Sequence, residues 1–456
     1  MPQISYIKYK DIQEAGRYDA EYFKPEYLKN DKKISSLLWK RCVDLTERDI
    51  TKGETPLWQG FNYLEVGVPF VRSQNFKNFG ISKDELVFVS KEYNQLKKRS
   101  IIKYGDTLLA IVGATIGEIG FYDLNEDGNC NQAVAIISPK VGISKEYFNI
   151  LFRTKNIQLQ IKRTQGGNAR DNFDLFEVRN LKIPILSDHF QVLIEQIVKQ
   201  AYQKQIRSKE LWQEGEKLLF TELGLLNYQV KNNLSFSIDK KEIDQAKRID
   251  SEYFQPKFKE IIKIIEKYNG GYDFIGEIIK WKKGIEVGTE AYAETGKDFI
   301  RVSDFSDYGI IKSDKKISTE TFEELKKSYQ PKQGEILFTK DGTIGISYLL
   351  KENIEGILSG AFLRLSLREK YQSFEKECLT LILNSFICKM QIEKLSGGAL
   401  IAHLKPSDFE TFKIPLIKQS IQKQITEKIQ ESYKLRKESK NLLEEAKRKV
   451  EEEIEK

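Results

Sequence analysis

The chain has 456 residues, 40% hydrophobic and 31% charged, with 74 Lys and Arg against 67 Asp and Glu. That is room for about two to four domains, each able to bury its own core, and the net charge of +7 suits a polyanionic partner without requiring one. The four cysteines, Cys42, Cys130, Cys378 and Cys388, form no CxxC pair, so neither a zinc site nor a disulfide framework is suggested, and they read as buried thiols in a reducing cytosol. No run approaches the ~20 apolar residues of a membrane span, and the N-terminus has no apolar signal core. A cytoplasmic chain that meets no membrane is expected.

In chain order, a short helical entry comes first. It leads through Lys10, Ile12 and Ala15 into Arg17-Tyr18-Asp19-Ala20-Glu21-Tyr22-Phe23-Lys24-Pro25. A strand-rich region follows: Val68–Arg72, Leu86–Val89, Thr107–Val112 and Ala133–Ile137 are short, apolar, β-branched runs bounded by Gly, Asn and Asp. A helical stretch over Lys145–Lys162 runs into a Gly166-Gly167 loop, and Lys182-Ile183-Pro184 closes the region. From Phe190 to Leu223 there is no proline, and apolar residues recur at helical spacing: Ile194, Ile197, Ala201, Leu211 and Leu218. Residues 225–240, with Asn227, Asn232 and Asn233, read as a linker.

Then the order repeats. Arg248-Ile249-Asp250-Ser251-Glu252-Tyr253-Phe254-Gln255-Pro256 follows Arg17 by 231 residues, and Lys413-Ile414-Pro415 follows Lys182 by the same 231. Lys241, Ile243 and Ala246 repeat the entry, and Gly397-Gly398 repeats the glycine loop. Strand-like runs recur at Asp298–Val302, Glu335–Phe338 and Ala361–Leu365, with a helical stretch over Phe374–Leu395. A final stretch, Ile421 to Lys456, carries Ile425, Ile429, Tyr433, Leu442 and Ala446 on one face. A period this long is a duplicated domain and not a solenoid repeat. Each terminal stretch of about 35 residues makes a helix of roughly 50 Å. Packed antiparallel, the two helices bury each other's stripe.

The missing motifs narrow the function. There is no GxxxxGK[ST] phosphate loop, no HExxH and no Pro-Pro dipeptide, and the two histidines, His189 and His403, stand in different contexts. These absences leave no recognisable ATPase, no adenine-methyltransferase loop and no histidine-based metal centre shared by both halves. What recurs is polar loop chemistry. Arg72-Ser73-Gln74-Asn75 follows a strand in the first half, and Arg301, Ser303 and Asp304 follow one in the second. Arg, Gln and Asn pair bidentately with base edges in a major groove, and Asp accepts from cytosine; a strand end turned to water uses the same residues. Gly113-Ala114-Thr115-Ile116-Gly117 matches Asp341-Gly342-Thr343-Ile344-Gly345, next to Lys340. Such turns are hairpins or backbone cradles for a phosphate. The double-glycine loops continue into Asn168 and Arg170, and into His403 and Lys405, as connectors or backbone clamps.

Entry motifs, Thr-Ile-Gly loops, Gly-Gly loops and Ile-Pro steps into long helices, in this order and twice over, resemble the specificity (S) subunit of type I restriction–modification systems. The Gly105-Asp-Thr-Leu-Leu and Gly334-Glu-Ile-Leu-Phe strands belong to the same pattern. The resemblance covers essentially the whole chain. It implies an α+β fold with two duplicated target-recognition domains, 1–186 and 241–417, separated by spacer helices, 187–224 and 418–456, that pair antiparallel about a pseudo-two-fold axis. It also implies a non-catalytic chain in which each domain reads one half of a bipartite, asymmetric site in double-stranded DNA. The expected partners are two DNA-adenine methyltransferase (M) subunits using S-adenosylmethionine, and restriction/translocase (R) subunits using ATP and Mg. No cofactor or metal is expected in this chain. A protein-binding scaffold with a coiled-coil dimerisation region is the alternative, and a nuclease with an unrecognised site the weaker one.

Overall fold

The computed structural model describes residues 4–77, 79–83, 86–165, 172–231, 233–306, 309–310, 313, 315–396 and 403–456. The chain divides into two compact units, residues 1–205 with 437–456, and residues 206–436. Each unit therefore holds part of both long helices, Asp188–Glu222 and Gln419–Glu455.

The first unit is built on a four-stranded antiparallel sheet in the order Thr51–Lys52, Val134–Ile137, Thr107–Ala110, Ile119–Phe121. A second sheet pairs Val68–Val71 antiparallel with Val87–Val89 and parallel with Asn129–Cys130. Trp39–Arg41 pairs with Lys182–Pro184, so the exit strand returns to the entry. The expected 145–162 helix is two, Lys145–Arg153 and Lys155–Gln165, with extended backbone at Thr154 between them. Tyr147, Phe148, Ile150, Leu151 and Phe152 are buried in one core cluster with Leu109, Ala135 and Ile137 of the sheet.

The second unit repeats the plan. Ile279–Lys283, Phe362–Leu367, Ile336–Thr339 and Ser347–Leu349 form its four-stranded sheet. Lys297–Ile300 pairs parallel with Gly356–Leu358 and antiparallel with Lys316–Ile317. Tyr272–Phe274 pairs with Lys413–Pro415. Helices Lys376–Asn384 and Phe386–Ser396 again break at one extended residue, Ser385.

The entry motif is not helical. The first helix, Tyr9–Ala15, stops at Gly16 in the left-handed region (φ 61°), and the next starts at Pro25, where proline's fixed φ and missing N–H cost nothing. Between them the Arg17 guanidinium donates to Asp19 at 2.7 Å and to the Thr164 carbonyl at 3.2 Å, and lies 5.0 Å from the Tyr22 ring centroid. In the second unit Arg248 donates to Asp250 at 2.6 and 2.8 Å and to the Leu395 carbonyl at 3.2 Å, 4.5 Å from the Tyr253 ring. The motif ties the entry to the end of the helix that precedes each double-glycine loop.

Within each unit the long-helix segments run antiparallel. In the first, Ile194, Val198 and Ala201 are fully buried, as are Ala446, Val450 and Ile454, and Lys204 pairs with Glu438. Ile197 and Leu442 are half-buried at the seam's edge. In the second unit Leu211, Leu219, Ile425, Ile429 and Tyr433 are buried and Leu218 half-buried, while Glu214 pairs with Lys428 and Glu222 with Lys418. Ala201, Ser208 and Gly215 stand seven residues apart, as do Ser432, Ser439 and Ala446. The Ser208 hydroxyl donates to the Ser432 carbonyl at 2.8 Å and the Ser432 hydroxyl to the Ser208 carbonyl at 2.7 Å. Side chains this short are what let the two backbones meet through reciprocal hydrogen bonds.

Candidate nucleic-acid interface

In each unit the described parts of the loops singled out in the sequence converge on one end of the sheet, for reasons of strand direction. In the first unit Thr107–Ala110 and Val68–Val71 both end there, and Val134–Ile137 begins there. The Asn131 N–H donates to the Val71 carbonyl at 3.3 Å, and the Ile111 N–H to the Ala133 carbonyl at 2.8 Å. The Phe173 N–H donates to the Ile111 carbonyl at 2.8 Å, and Val112 bridges Asn172. Arg72–Asn75, Asn131–Ala133, Ile111–Thr115 and Asn172 therefore meet at one platform. Asn168 and Arg170 lie outside the described residues, just before Asn172.

The second unit shows the same bonds. The Ser359 N–H donates to the Ile300 carbonyl at 2.9 Å, and the Lys340 N–H to the Ala361 carbonyl at 2.8 Å. The Leu404 N–H donates to the Lys340 carbonyl at 2.8 Å, and Asp341 bridges His403. This brings Arg301–Asp304, Lys340–Thr343 and His403–Lys405 together.

Their side chains divide by exposure. Gln74, Ser303, Thr343, His403 and Lys405 are exposed, and Arg72, Ser73, Thr115 and Arg301 half-buried. Three candidates are corrected. Asn75 is 0% exposed, and its Oδ1 accepts the Arg72 N–H at 2.9 Å. Asp304 is 5% exposed, and its carboxylate accepts the Arg301 N–H at 2.9 Å and the guanidinium at 3.4 Å. These two close one loop turn in the same way and face inward. Lys340 is 2% exposed, with its ammonium against Asp341. All three side chains are buried and engaged within their own loops, where a polar group needs such partners.

The glycine turns have like ends, the second being one residue shorter. Gly113 and Gly117 have φ of 74° and 92°, and Gly342 and Gly345 of 69° and 89°, a region that side chains with a Cβ rarely adopt. The Gly117 N–H donates to the Ala110 carbonyl at 3.0 Å and the Gly345 N–H to the Thr339 carbonyl at 2.9 Å. Thr115 donates to the Val112 carbonyl at 3.4 Å. Under Arg72 lies the Tyr63 ring, 5.9 Å away. Among the described residues no group of three His, Cys, Asp or Glu side chains is placed to hold a metal, and no helix is long and apolar enough to cross a membrane.

Sequence reasoning missed Thr55, Asn131 and Gln132 in the first unit, and Glu286, Ser359 and Gly360 in the second. One signal was available: Gly53 and Gly284 are 231 residues apart and mark where these segments approach. A Cβ at Gly53 would fall 1.7 Å from the Cys130 carbonyl oxygen, and one at Gly284 would fall 2.1 Å from that of Ser359.

Each unit is thus a loop platform carried on a sheet, the form of a recognition module. A family model described as the type I restriction modification DNA specificity domain matches residues 7–214 and 269–447, and the chain belongs to that family. The specificity subunit of the type I restriction enzyme EcoBI from Escherichia coli is 31% identical over 142 residues, 30% of this chain. That match spans 29% of the relative's length. Among solved structures, the S subunit of a type I restriction-modification system from M. genitalium aligns over 92% of this chain and 95% of its own, at 14% identity and a TM-score of 0.38. The HsdS subunit from Thermoanaerobacter tengcongensis covers 91% and 95%, at 15% identity and a TM-score of 0.29.

Proposed function

We propose that this specificity subunit reads a bipartite site in double-stranded DNA, one half-site per unit, and catalyses no reaction itself. The observation that carries the reading is the pair of platforms: one backbone scaffold, held by equivalent hydrogen bonds, bearing different side chains in each unit. Two diverged readers suit two unlike half-sites. Arg72, Ser73, Gln74, Thr115, Asn168 and Arg170 are the proposed contacts of the first unit. Arg301, Ser303, Thr343, His403 and Lys405 are those of the second. Bases are read by the polar side chains, and phosphates by the Arg and Lys residues and the glycine-turn amides.

The long helices set the unspecified gap between half-sites and dock two adenine methyltransferase subunits. Those subunits bring S-adenosylmethionine, and restriction subunits bring ATP and Mg. Removing two turns from both helices together should shorten the gap, as read from methylated sites in a host carrying the reconstituted system. An unchanged gap would falsify the role of the helices as a ruler. Affinity for the cognate duplex should fall steeply with salt, because phosphate contacts release counterions. A complex whose binding ignored salt would point to a protein-binding scaffold instead.

A further inference from the structure

The two units place a different polar group at one equivalent point of the platform, through a paired exchange in two segments distant in sequence. In the first unit Gly53 lets the segment Gly53–Thr55 lie against Cys130–Gln132. There the Thr55 hydroxyl donates to the Gln132 side-chain oxygen. Two hydrogen bonds close the turn beneath: Asn131 Oδ1 accepts the Ala133 N–H at 3.2 Å, and the Asn131 carbonyl accepts the Val134 N–H at 3.3 Å. With its oxygen held by Thr55, the half-buried Gln132 amide has no other partner among the described residues, which leaves its NH2 and one oxygen lone pair for a ligand.

The second unit has the same backbone and the opposite assignment. The bonds that place Asn131 and Ala133 place Ser359 and Ala361, so Gly360 stands where Gln132 does. Glu286 follows Gly284 as Thr55 follows Gly53. A Cβ at Gly360 would fall 2.5 Å from Glu286 Oε1 and 3.1 Å from its Cγ. The Glu286 side chain therefore fills the space that a longer residue at 360 would take. One unit has a short residue on the first segment and an amide on the second. The other has a carboxylate on the first and no side chain on the second.

We propose that Gln132 and Glu286 are specificity-determining residues, each reading one base pair at the matching place of its own half-site. The proposal rests on the DNA reading given above and assigns the chemistry. A glutamine amide pairs bidentately with adenine, and a carboxylate accepts from the cytosine amino group. Thr55 is a positioning residue that sets which way the Gln132 amide faces.

The test uses the full chain reconstituted with its methyltransferase partners, selecting from randomised duplexes. Gln132→Ala should relax one base pair of one half-site by about tenfold or more. Glu286→Gln should shift one base pair of the other half-site away from cytosine, and Gln132→Glu should shift its own pair toward cytosine. Thr55→Val should loosen the same pair as Gln132→Ala, and Thr55→Ser, which keeps the hydroxyl, should restore it. Urea midpoints equal to the parent's separate these effects from misfolding. A specific parent whose preferences are untouched by Gln132→Ala, Gln132→Glu and Glu286→Gln overturns this assignment alone. A parent with no sequence preference overturns the DNA reading and this assignment with it.

Discussion

Replacing Gly53 with alanine tests the closest approach in the first unit. The new methyl would lie 1.7 Å from the Cys130 carbonyl oxygen, 2.4 Å from its carbon and 2.9 Å from the Cys130 sulfur. An ordinary carbon–oxygen contact is above 3 Å, so the segments must part by more than an ångström, and the two nearest obstructing atoms are backbone that cannot rotate away. Overpacking of this kind costs about 1–3 kcal/mol, and a backbone clash belongs at the upper end. Alanine restricts the unfolded chain and returns about 0.4–1 kcal/mol. The net expectation is a loss of about 2 kcal/mol, a fall of roughly 1 M in the urea midpoint at a slope of about 2 kcal/mol/M. Hydrogen exchange read by mass spectrometry should place the loss in peptides spanning 51–55 and 129–137, with residues 206–436 unchanged. A Gly53→Ala chain within about 0.5 kcal/mol of the parent, with protection intact at Cys130–Ala133, would refute the reasoning.

Three further expectations can be checked separately. Ser208→Ala and Ser432→Ala should each cost about 1 kcal/mol, and the double variant should lose less than the sum, because both remove the same contact between the two hydroxyls at 2.9 Å; strict additivity would argue against that shared contact. Hydrogen bonds from Arg17 and Arg248 hold the Asp19 and Asp250 carboxyls below their ordinary values. Their stabilisation is present above the unfolded carboxylate value of about 4 and is lost as pH falls through the lower folded values. Stability of the Asp19→Asn, Asp250→Asn double variant should fall less steeply below about pH 4, and an unchanged slope would count against the pairing. Burial pushes all four thiols up, Cys130 and Cys388 to about 12. Ellman's reagent at pH 8 should find no rapidly reacting thiol in the native chain and four in denaturant; prompt native reaction would contradict the buried placement.

The sequence by itself determined the duplication, the element order and the amphipathic stripes. Backbone geometry demands particular residues wherever it recurs. Pro25 and Pro256 start helices, Gly53 and Gly284 admit a neighbouring strand, and the Arg17 and Arg248 motifs hold a loop shoulder. Recurrence at a spacing of 231 records those demands directly. The tertiary structure alone decided which polar side chains emerge at the platform. Asn75 and Asp304 sit in loops whose composition suits base contact, yet both are spent on closing a turn. The partners Thr55 and Gln132 are 77 residues apart, and no local pattern joins them. A side chain's periodicity is set by its own segment, whereas its availability depends on which distant segments pack beside it.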